Sequence, residues 1–302
     1  MIYQSIKHKS VSIVVPAYNE TNLLKRIHFI QQELNEHFEN IEIIIICDGT
    51  GSTPVEKLKT CSDKNVKIYH YPNNQGKGFA LKLGTFKSCG NYIVFIDAGM
   101  ELHPGDIKKF MLLMEAYEVD IVIGSKRHPL SQIDYAWYRK ILSFGYQTYI
   151  SILLGLKFVK DTQVGLKIFK REILQEVLPE TTTSGYSFDI ELLALAHKIP
   201  NIRIIEAPVT LKMWQKEAKL RSELFRLVKM TMQMVIDTSK IVYKIRFRMK
   251  KTKVKDSNWG LTEEFIKLKP INHFSIKDKA QGAHKGLKTK EKKAFLKVSI
   301  KC

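Results

Sequence analysis

The chain has 302 residues, 44% hydrophobic and 26% charged, which is enough for one large folded domain with an appendage and excludes a wholly disordered protein. Its formal charge of +19 calls for an acidic partner: nucleic acid, an anionic membrane or a phosphorylated substrate. Much of that charge is local, because residues 244–302 carry 18 Lys/Arg against 5 Asp/Glu, a net +13. The cysteines (Cys47, Cys61, Cys89 and Cys302) lack paired metal spacing, and no leader-like pattern opens the chain, so a reducing cytoplasmic setting is expected. No window reaches the roughly 18 to 20 uninterrupted apolar residues of a spanning helix.

Residues 11–15 (Val-Ser-Ile-Val-Val) form a β-branched run, stopped by Pro16 and followed by Ala17-Tyr18-Asn19-Glu20. Asn19 or Thr21 is placed to cap the next helix, where Leu23, Leu24, Ile27, Ile30 and Leu34 recur at helical spacing. Residues 41–46 make a second apolar strand ending in Cys47-Asp48-Gly49-Thr50-Gly51. Residues 66–71 make a third, leading through Asn74-Gln75-Gly76-Lys77-Gly78 into a helix with Ala80, Leu81, Leu83 and Phe86. Then Val94-Phe95-Ile96 runs straight into Asp97-Ala98-Gly99-Met100-Glu101. A helix near residues 104–117 and a strand near 120–123 follow, the latter leading to Ser125-Lys126-Arg127.

Strands that are continuously apolar and alternate with helices predict an α/β fold, its mostly parallel sheet covered by helices on both faces. Each polar cluster follows a strand, and in such a sheet those loops converge on one edge as a binding crevice. The Gly49-x-Gly51 pair does not complete a dinucleotide fingerprint, because the third glycine is missing and Pro54 intrudes.

The second half changes character. Residues 144–156 are apolar and aromatic, of a length that suits a core or interfacial helix rather than a span. Asp161-Thr162-Gln163-Val164-Gly165 is a polar turn before a strand through Phe169. Residues 185–193 open a helix carrying Asp189 and Glu191, which are two apart and so cannot both face one site. One is expected at the crevice, the other capping or solvated. Residues 220–248 show a narrow polar stripe (Arg226, Lys229, Gln233, Asp237, Lys240, Lys244) and a wide apolar face, as for a helix packed on the domain or lying in a membrane interface. Residues 249–302 are Lys-rich with little periodicity and are expected to form a mobile tail able to bind anionic headgroups.

In order along the chain stand Pro16-Ala-Tyr-Asn-Glu20, Asp48-Gly49, Gly76-Lys77-Gly78, Asp97 after a strand, Gly124-Ser125-Lys126, and Asp161-Thr162-Gln163-x-Gly165. Together they closely resemble the family-two inverting glycosyltransferases, in particular the polyprenyl-phosphate sugar synthases of the dolichyl-phosphate glucosyltransferase and dolichyl-phosphate mannose synthase type. The resemblance spans roughly residues 10–215. It implies a GT-A type nucleotide-diphospho-sugar transferase domain over residues 1–219, with the amphipathic helix (220–248) and the tail (249–302) appended.

By that resemblance Pro16, Tyr18, Glu20 and Asp48 line the nucleoside pocket, and Lys77 lies near the nucleotide. The implied cofactor is Mg²⁺ or Mn²⁺, held by Asp97 and Glu101. Gly99 stands where the family has a second aspartate, and Glu101 offers a compensating oxygen; Cys47 likewise replaces the first of two adjacent aspartates. Lys126, Arg127, Arg139 and Ser143 match acceptor-phosphate positions. The implied catalytic residues are Asp97, Asp189 and Arg139, with Asp189 facing the sugar or acceptor.

A lipid phosphate is already an anionic nucleophile, so positioning and charge screening supply most of the catalysis. The expected reaction is inverting transfer of a hexose from a nucleotide diphospho-sugar, UDP-glucose before GDP-mannose, to polyprenyl phosphate. The enzyme is expected to sit peripherally at the cytoplasmic membrane face, with an anionic membrane surface as partner and nucleic acid not among its partners. Two alternatives remain open. One is a soluble transferase acting on a glycan hydroxyl, which needs Asp189 or Glu191 as general base. The other is a non-catalytic basic adaptor that binds anionic lipid or nucleic acid through its tail.

Overall fold

The computed structural model describes residues 2–49, 51, 55–131, 148–150, 152–156, 159–185, 187–211, 220–248 and 258–272. The apolar runs become strands covered on both faces. They are β1 (Ser10–Ala17), β2 (Asn40–Asp48), β3 (Val66–Tyr71), β4 (Tyr92–Phe95), β5 (Ile121–Ser125), β6 (Lys167–Lys170) and β7 (Ile204–Pro208). They make one sheet in the order β3-β2-β1-β4-β6-β5-β7. Strand β1 pairs in parallel with β2 and β4, β2 with β3, and β5 with β7, whereas β6 runs antiparallel between β4 and β5.

Two consequences of this order place the site. The sheet grows outward in one direction from β1 and in the other from β4, so their C-terminal ends flank the crevice where such sheets bind ligands. Because β6 is antiparallel, its first residue, Lys167, lies at that same edge, opposite Phe95 and Ile123.

The helices are α1 (Ile2–Lys7), α2 (Leu23–Leu34), α3 (Val55–Leu58), α4 (Lys77–Lys87), α5 (Asp106–Tyr117), α6 (Arg171–Val177), α7 (Phe188–Ala196), α8 (Leu220–Tyr243) and α9 (Glu263–Lys267). The expected stripe on α2 buries Leu23, Ile27, Ile30 and Leu34. The expected cap does not form: the residue before α2 is Asn22, with no side-chain capping bond, and Asn19 turns left-handed at φ 56°. Strand β7 and helices α1, α3, α6 and α9 are additions to the sequence reading.

Helix α8 packs on the domain through Met234, Thr238 and Ile241, and the π-helical turn after it (Lys244–Arg248) adds Ile245. The residues buried recur every three or four positions. On the other side Met232, Ile236 and Tyr243 are exposed. No helix among the described residues is long and apolar enough to cross a membrane.

The expectation of a mobile tail from residue 249 onward is corrected over residues 258–272. Trp259 meets Phe86 edge-on at 5.4 Å, and Phe265 sits 4.7 Å from Phe79 and 5.3 Å from Tyr71. Asn272 Oδ1 accepts the Ile68 N–H at 2.9 Å, its Nδ2 donates to Val66 O at 2.8 Å, and the Ile271 N–H reaches Ile68 O at 2.7 Å. The physical reason is the open edge of β3. An edge strand exposes unpaired backbone groups, and this segment satisfies them while burying aromatic surface. The rest of the tail, and all of residues 132–147, Arg139 and Ser143 included, lie outside the described residues.

Candidate active site

The site begins with the turns that end β1 and β4. After β1, Pro16 is partly buried and Tyr18 is exposed, while Glu20 pairs with the Arg26 guanidinium. That same guanidinium donates to Ala98 O, one residue past Asp97, and so ties the two sides of the crevice together. Arg26 was not anticipated from the sequence. Its position four residues into an amphipathic helix reads as an ordinary surface cation.

After β4 the chain makes a tight turn, with the Met100 N–H reaching Asp97 O at 3.0 Å. The Asp97 side chain is 49% exposed and its Oδ1 lies 2.9 Å from Lys77 Nζ. Its Oδ2 rests against Gly165, where a Cβ would come within 2.3 Å of it. Any side chain at 165 would displace that carboxylate. Gly99 has nothing within 4 Å of the place its Cβ would occupy, so the missing second aspartate leaves open space.

Lys77 reaches Asp97 because of the glycines beside it. Gly76 takes φ +96°, and Gly78 lets the start of α4 approach α7 so closely that a Cβ would fall 2.5 Å from the Phe188 ring. The Gly78 N–H also bonds Ser184 O at 2.7 Å. Lys77 Nζ is thereby brought 3.3 Å from Asp189 Oδ2. Burial opposes the Lys77 charge, but Asp189 and Asp97 outweigh it and hold its pKa well above the ordinary lysine value.

Asp189 is buried, and its second oxygen, Oδ1, accepts from Lys167 Nζ at 2.6 Å. Lys167 is 1% exposed and also donates to Val164 O at 2.6 Å. Burial disfavours the Asp189 charge, yet Lys167 and Lys77 overcome it and hold the carboxyl below its usual range. The result is an alternating row, Lys167–Asp189–Lys77–Asp97, running from the interior to the cleft. Asp189 was expected to contact sugar or acceptor; the structure gives both its oxygens to lysines. The expected divergence from Glu191 holds. Glu191 is buried, accepts the N–H groups of Thr182 and Thr183, and pairs with Lys244 at 2.8 Å.

The open cleft, about 300 Å³, is lined by Asp97, Gly99, Glu101, Lys126, Gln163 and Gly165 among others. Glu101 is exposed on its rim and pairs with Lys126 Nζ at 3.2 Å. Lys126 is held from behind, its N–H donating to Asp161 Oδ2 at 2.9 Å. Glu206 in turn accepts the N–H groups of Lys160 and Asp161 at 2.7 and 2.8 Å, and burial pushes its carboxyl above the usual range. Arg127 follows on the same turn, partly buried. Gln163 Nε2 donates to Met234 Sδ at 3.7 Å, which links the cleft to α8.

Asp48, the expected nucleoside-pocket carboxylate, is the last residue of β2. It is 3% exposed, and its two oxygens accept the N–H groups of Gln75 at 2.6 Å and Gly76 at 3.0 Å. Its evident work is to hold the loop that presents Lys77.

Asp97 and Glu101 offer hard carboxylate oxygens to one cleft. Mg²⁺ takes one or two protein carboxylates and fills its shell from water and substrate phosphates. The pair therefore fits a divalent cation that arrives with a diphosphate. Among the described residues no cluster of three or more His, Cys, Asp or Glu could hold a metal by itself.

The chain matches the model for glycosyl transferase family 2 over residues 12–178. It is 31% identical over 215 residues to a dolichyl-phosphate beta-glucosyltransferase of Dictyostelium discoideum, covering 66% of this chain and 65% of that protein. Proteins of the same name from Saccharomyces cerevisiae (30% over 225 residues; 66% and 66%) and Homo sapiens (30% over 215 residues; 64% and 65%) also match. The match thus spans about 65% of these relatives' length.

Among solved structures, glucosyl-3-phosphoglycerate synthase from Mycobacterium tuberculosis with Mn²⁺, UDP and phosphoglyceric acid superposes with a TM-score of 0.59 at 19% identity, covering 80% of this chain and 81% of that one. The same enzyme with Mn²⁺, UDP-glucose and phosphoglyceric acid gives 0.55 at 17% identity, covering 80% and 82%. At such identities the likeness concerns the fold, which is GT-A.

Proposed function

Since the chain belongs to glycosyl transferase family 2, we propose that it transfers a hexose, with inversion, from a nucleotide diphospho-sugar to polyprenyl phosphate. The observation that carries this reading is the clamp on Asp189. An acceptor hydroxyl must give its proton to a base whose pKa lies near neutrality. Asp189 is ionised, buried and bound to two ammonium groups, so it is poorly suited to that task. A phosphate acceptor is already an anion and needs no base. Its oxygen attacks the anomeric carbon as the bond to the diphosphate breaks, and the nucleoside diphosphate leaves.

The residues on the page then divide the work. Lys77 offers its ammonium to the diphosphate beside Asp97, and Lys126, with Arg127 next to it, offers charge to the acceptor phosphate. A divalent cation held by Asp97 and Glu101 would neutralise charge on the departing diphosphate. UDP-glucose is the favoured donor, a choice supported by the names of the glucosyl relatives and the UDP-bound fold neighbours. The exposed Met232, Ile236 and Tyr243 of α8, together with the basic C-terminal fifth, support an enzyme seated on the cytoplasmic face of an anionic membrane.

The test uses radiolabelled UDP-glucose and polyprenyl phosphate with Mg²⁺. Label is expected to enter the organic phase, and to stay aqueous with Asp97→Ala or after chelation of the metal. Failure to transfer or hydrolyse any nucleotide sugar, GDP-mannose included, overturns the proposal.

A further inference from the structure

We propose that Lys167 is a positioning residue of the nucleotide-sugar site, acting through Asp189 to hold Lys77 at the cleft. The inference rests on the transferase reading above.

A lysine is almost never fully buried unless it is paired. Lys167 is 1% exposed at the first position of β6, beside the buried Leu166, Ile168 and Phe169, where an apolar residue would pack without a charge to compensate. Its ammonium is fixed from two sides, by Val164 O at 2.6 Å and Asp189 Oδ1 at 2.6 Å. That bond leaves Asp189 with one oxygen for Lys77, at 3.3 Å, and Lys77 then spans to Asp97 Oδ1 at 2.9 Å.

The charges along the row decide what Lys167 does. Two carboxylates and Lys77 alone would carry one excess negative charge in a largely buried place. With Lys167 the row is neutral. Without it, both oxygens of Asp189 would compete for Lys77 and draw the ammonium inward, away from Asp97 and from an incoming diphosphate. Lys167 does not line the cleft, so its effect on substrate passes through Asp189. The antiparallel course of β6 is what brings a strand's first residue to the ligand edge, opposite Phe95.

The test is a double-mutant cycle read by calorimetric titration with UDP-glucose in the presence of Mg²⁺. It compares wild type, Lys167→Met, Asp189→Asn and the double variant, each with a thermal melt. Lys167→Met is expected to weaken UDP-glucose binding on the order of tenfold, as for loss of a charged hydrogen bond. In the Asp189→Asn background the same change is expected to cost little, because its route is gone. Removing both partners also leaves no uncompensated buried charge, so the double variant is expected to melt cooperatively.

Equal fold-losses in the two backgrounds, or no loss from Lys167→Met, would overturn the inference. Should the Lys167→Met variant not fold, Lys167→Gln keeps a donor for Val164 without the charge, and the same outcomes decide. A wild-type protein that binds no nucleotide diphospho-sugar removes the transferase reading and this inference together. One that binds UDP-glucose but does not glycosylate polyprenyl phosphate removes only the acceptor, and the cycle still stands.

Discussion

Asp97 is shaped by two glycines that leave it very different amounts of room. At Gly165 a Cβ would lie 2.3 Å from Asp97 Oδ2, so Gly165→Ala must push the carboxylate off its position. A misplacement of about 1 Å costs on the order of 10²-fold in rate, and kcat/KM for the nucleotide sugar is expected to fall by about that factor while the melting temperature barely moves. At Gly99 nothing stands within 4 Å, so Gly99→Asp should fit and add a second carboxylate beside Asp97. Because affinity for a hard cation follows the number of charged ligands, Mn²⁺ binding by titration is expected to tighten by about tenfold. Unchanged Mn²⁺ affinity would show that Asp97 does not face the metal. Asp97 and Lys77 were legible in the sequence because each comes after a strand and lies beside small residues. Lys167 was not, although a lysine inside Gly165-Leu-Lys-Ile-Phe169 was the available signal. Local pattern shows that a buried charge needs a partner, but the partner is 22 residues away on another element. Asp48 is a strand-end carboxylate that reads as a ligand, and its oxygens also accept backbone N–H groups of the loop that presents Lys77.

Among the elements, the docked segment at residues 258–272 is where the sequence misled most. Its lysine-rich surroundings average away the pattern of Trp259, Leu261, Phe265 and Ile271, which meets the edge of β3 and the outer face of α4. Only the three-dimensional edge tells those residues what to cover. The bonding of Asn272 makes the docking testable. Its Oδ1 satisfies the Ile68 N–H and its Nδ2 satisfies Val66 O, all in a buried place. Asn272→Ala strands both groups, and an unsatisfied buried polar group costs about 1–3 kcal/mol. The denaturant midpoint is expected to drop accordingly with an unchanged slope, and the Ile68 amide to exchange hydrogen faster. A midpoint identical to wild type would mean that the segment does not dock. The long helix α8 packs one face on the domain and leaves the other exposed. Met234 and Ile241 are buried against the domain, whereas Met232 and Ile236 face outward.

For the molecule as a whole, hydrophobic periodicity identified the strands but not their neighbours. Continuous apolar runs imply a mostly parallel sheet, yet nothing in residues 167–170 announces an antiparallel strand inserted between β4 and β5. That insertion brings the 161–165 turn to the crevice and completes the cleft. The same global view bears on where the enzyme works. Its formal charge is +19, with a net +13 after residue 243, and the exposed apolar residues of α8 lie at positions 232, 236 and 243, one face of a helix. Charge alone predicts binding to anionic vesicles that disappears as salt shortens the screening length. Charge combined with apolar insertion predicts a fraction that persists. Burying one isoleucine contributes about 1.5–3 kcal/mol, so Ile236→Asp is expected to lower vesicle partitioning by at least about tenfold at moderate salt. The same variant should leave sugar transfer to a short-chain, water-soluble polyprenyl phosphate unchanged, because Ile236 faces away from the cleft-side residue Met234. If Ile236→Asp co-floats with anionic vesicles as well as wild type does, the membrane is held by charge and α8 is only a packed helix.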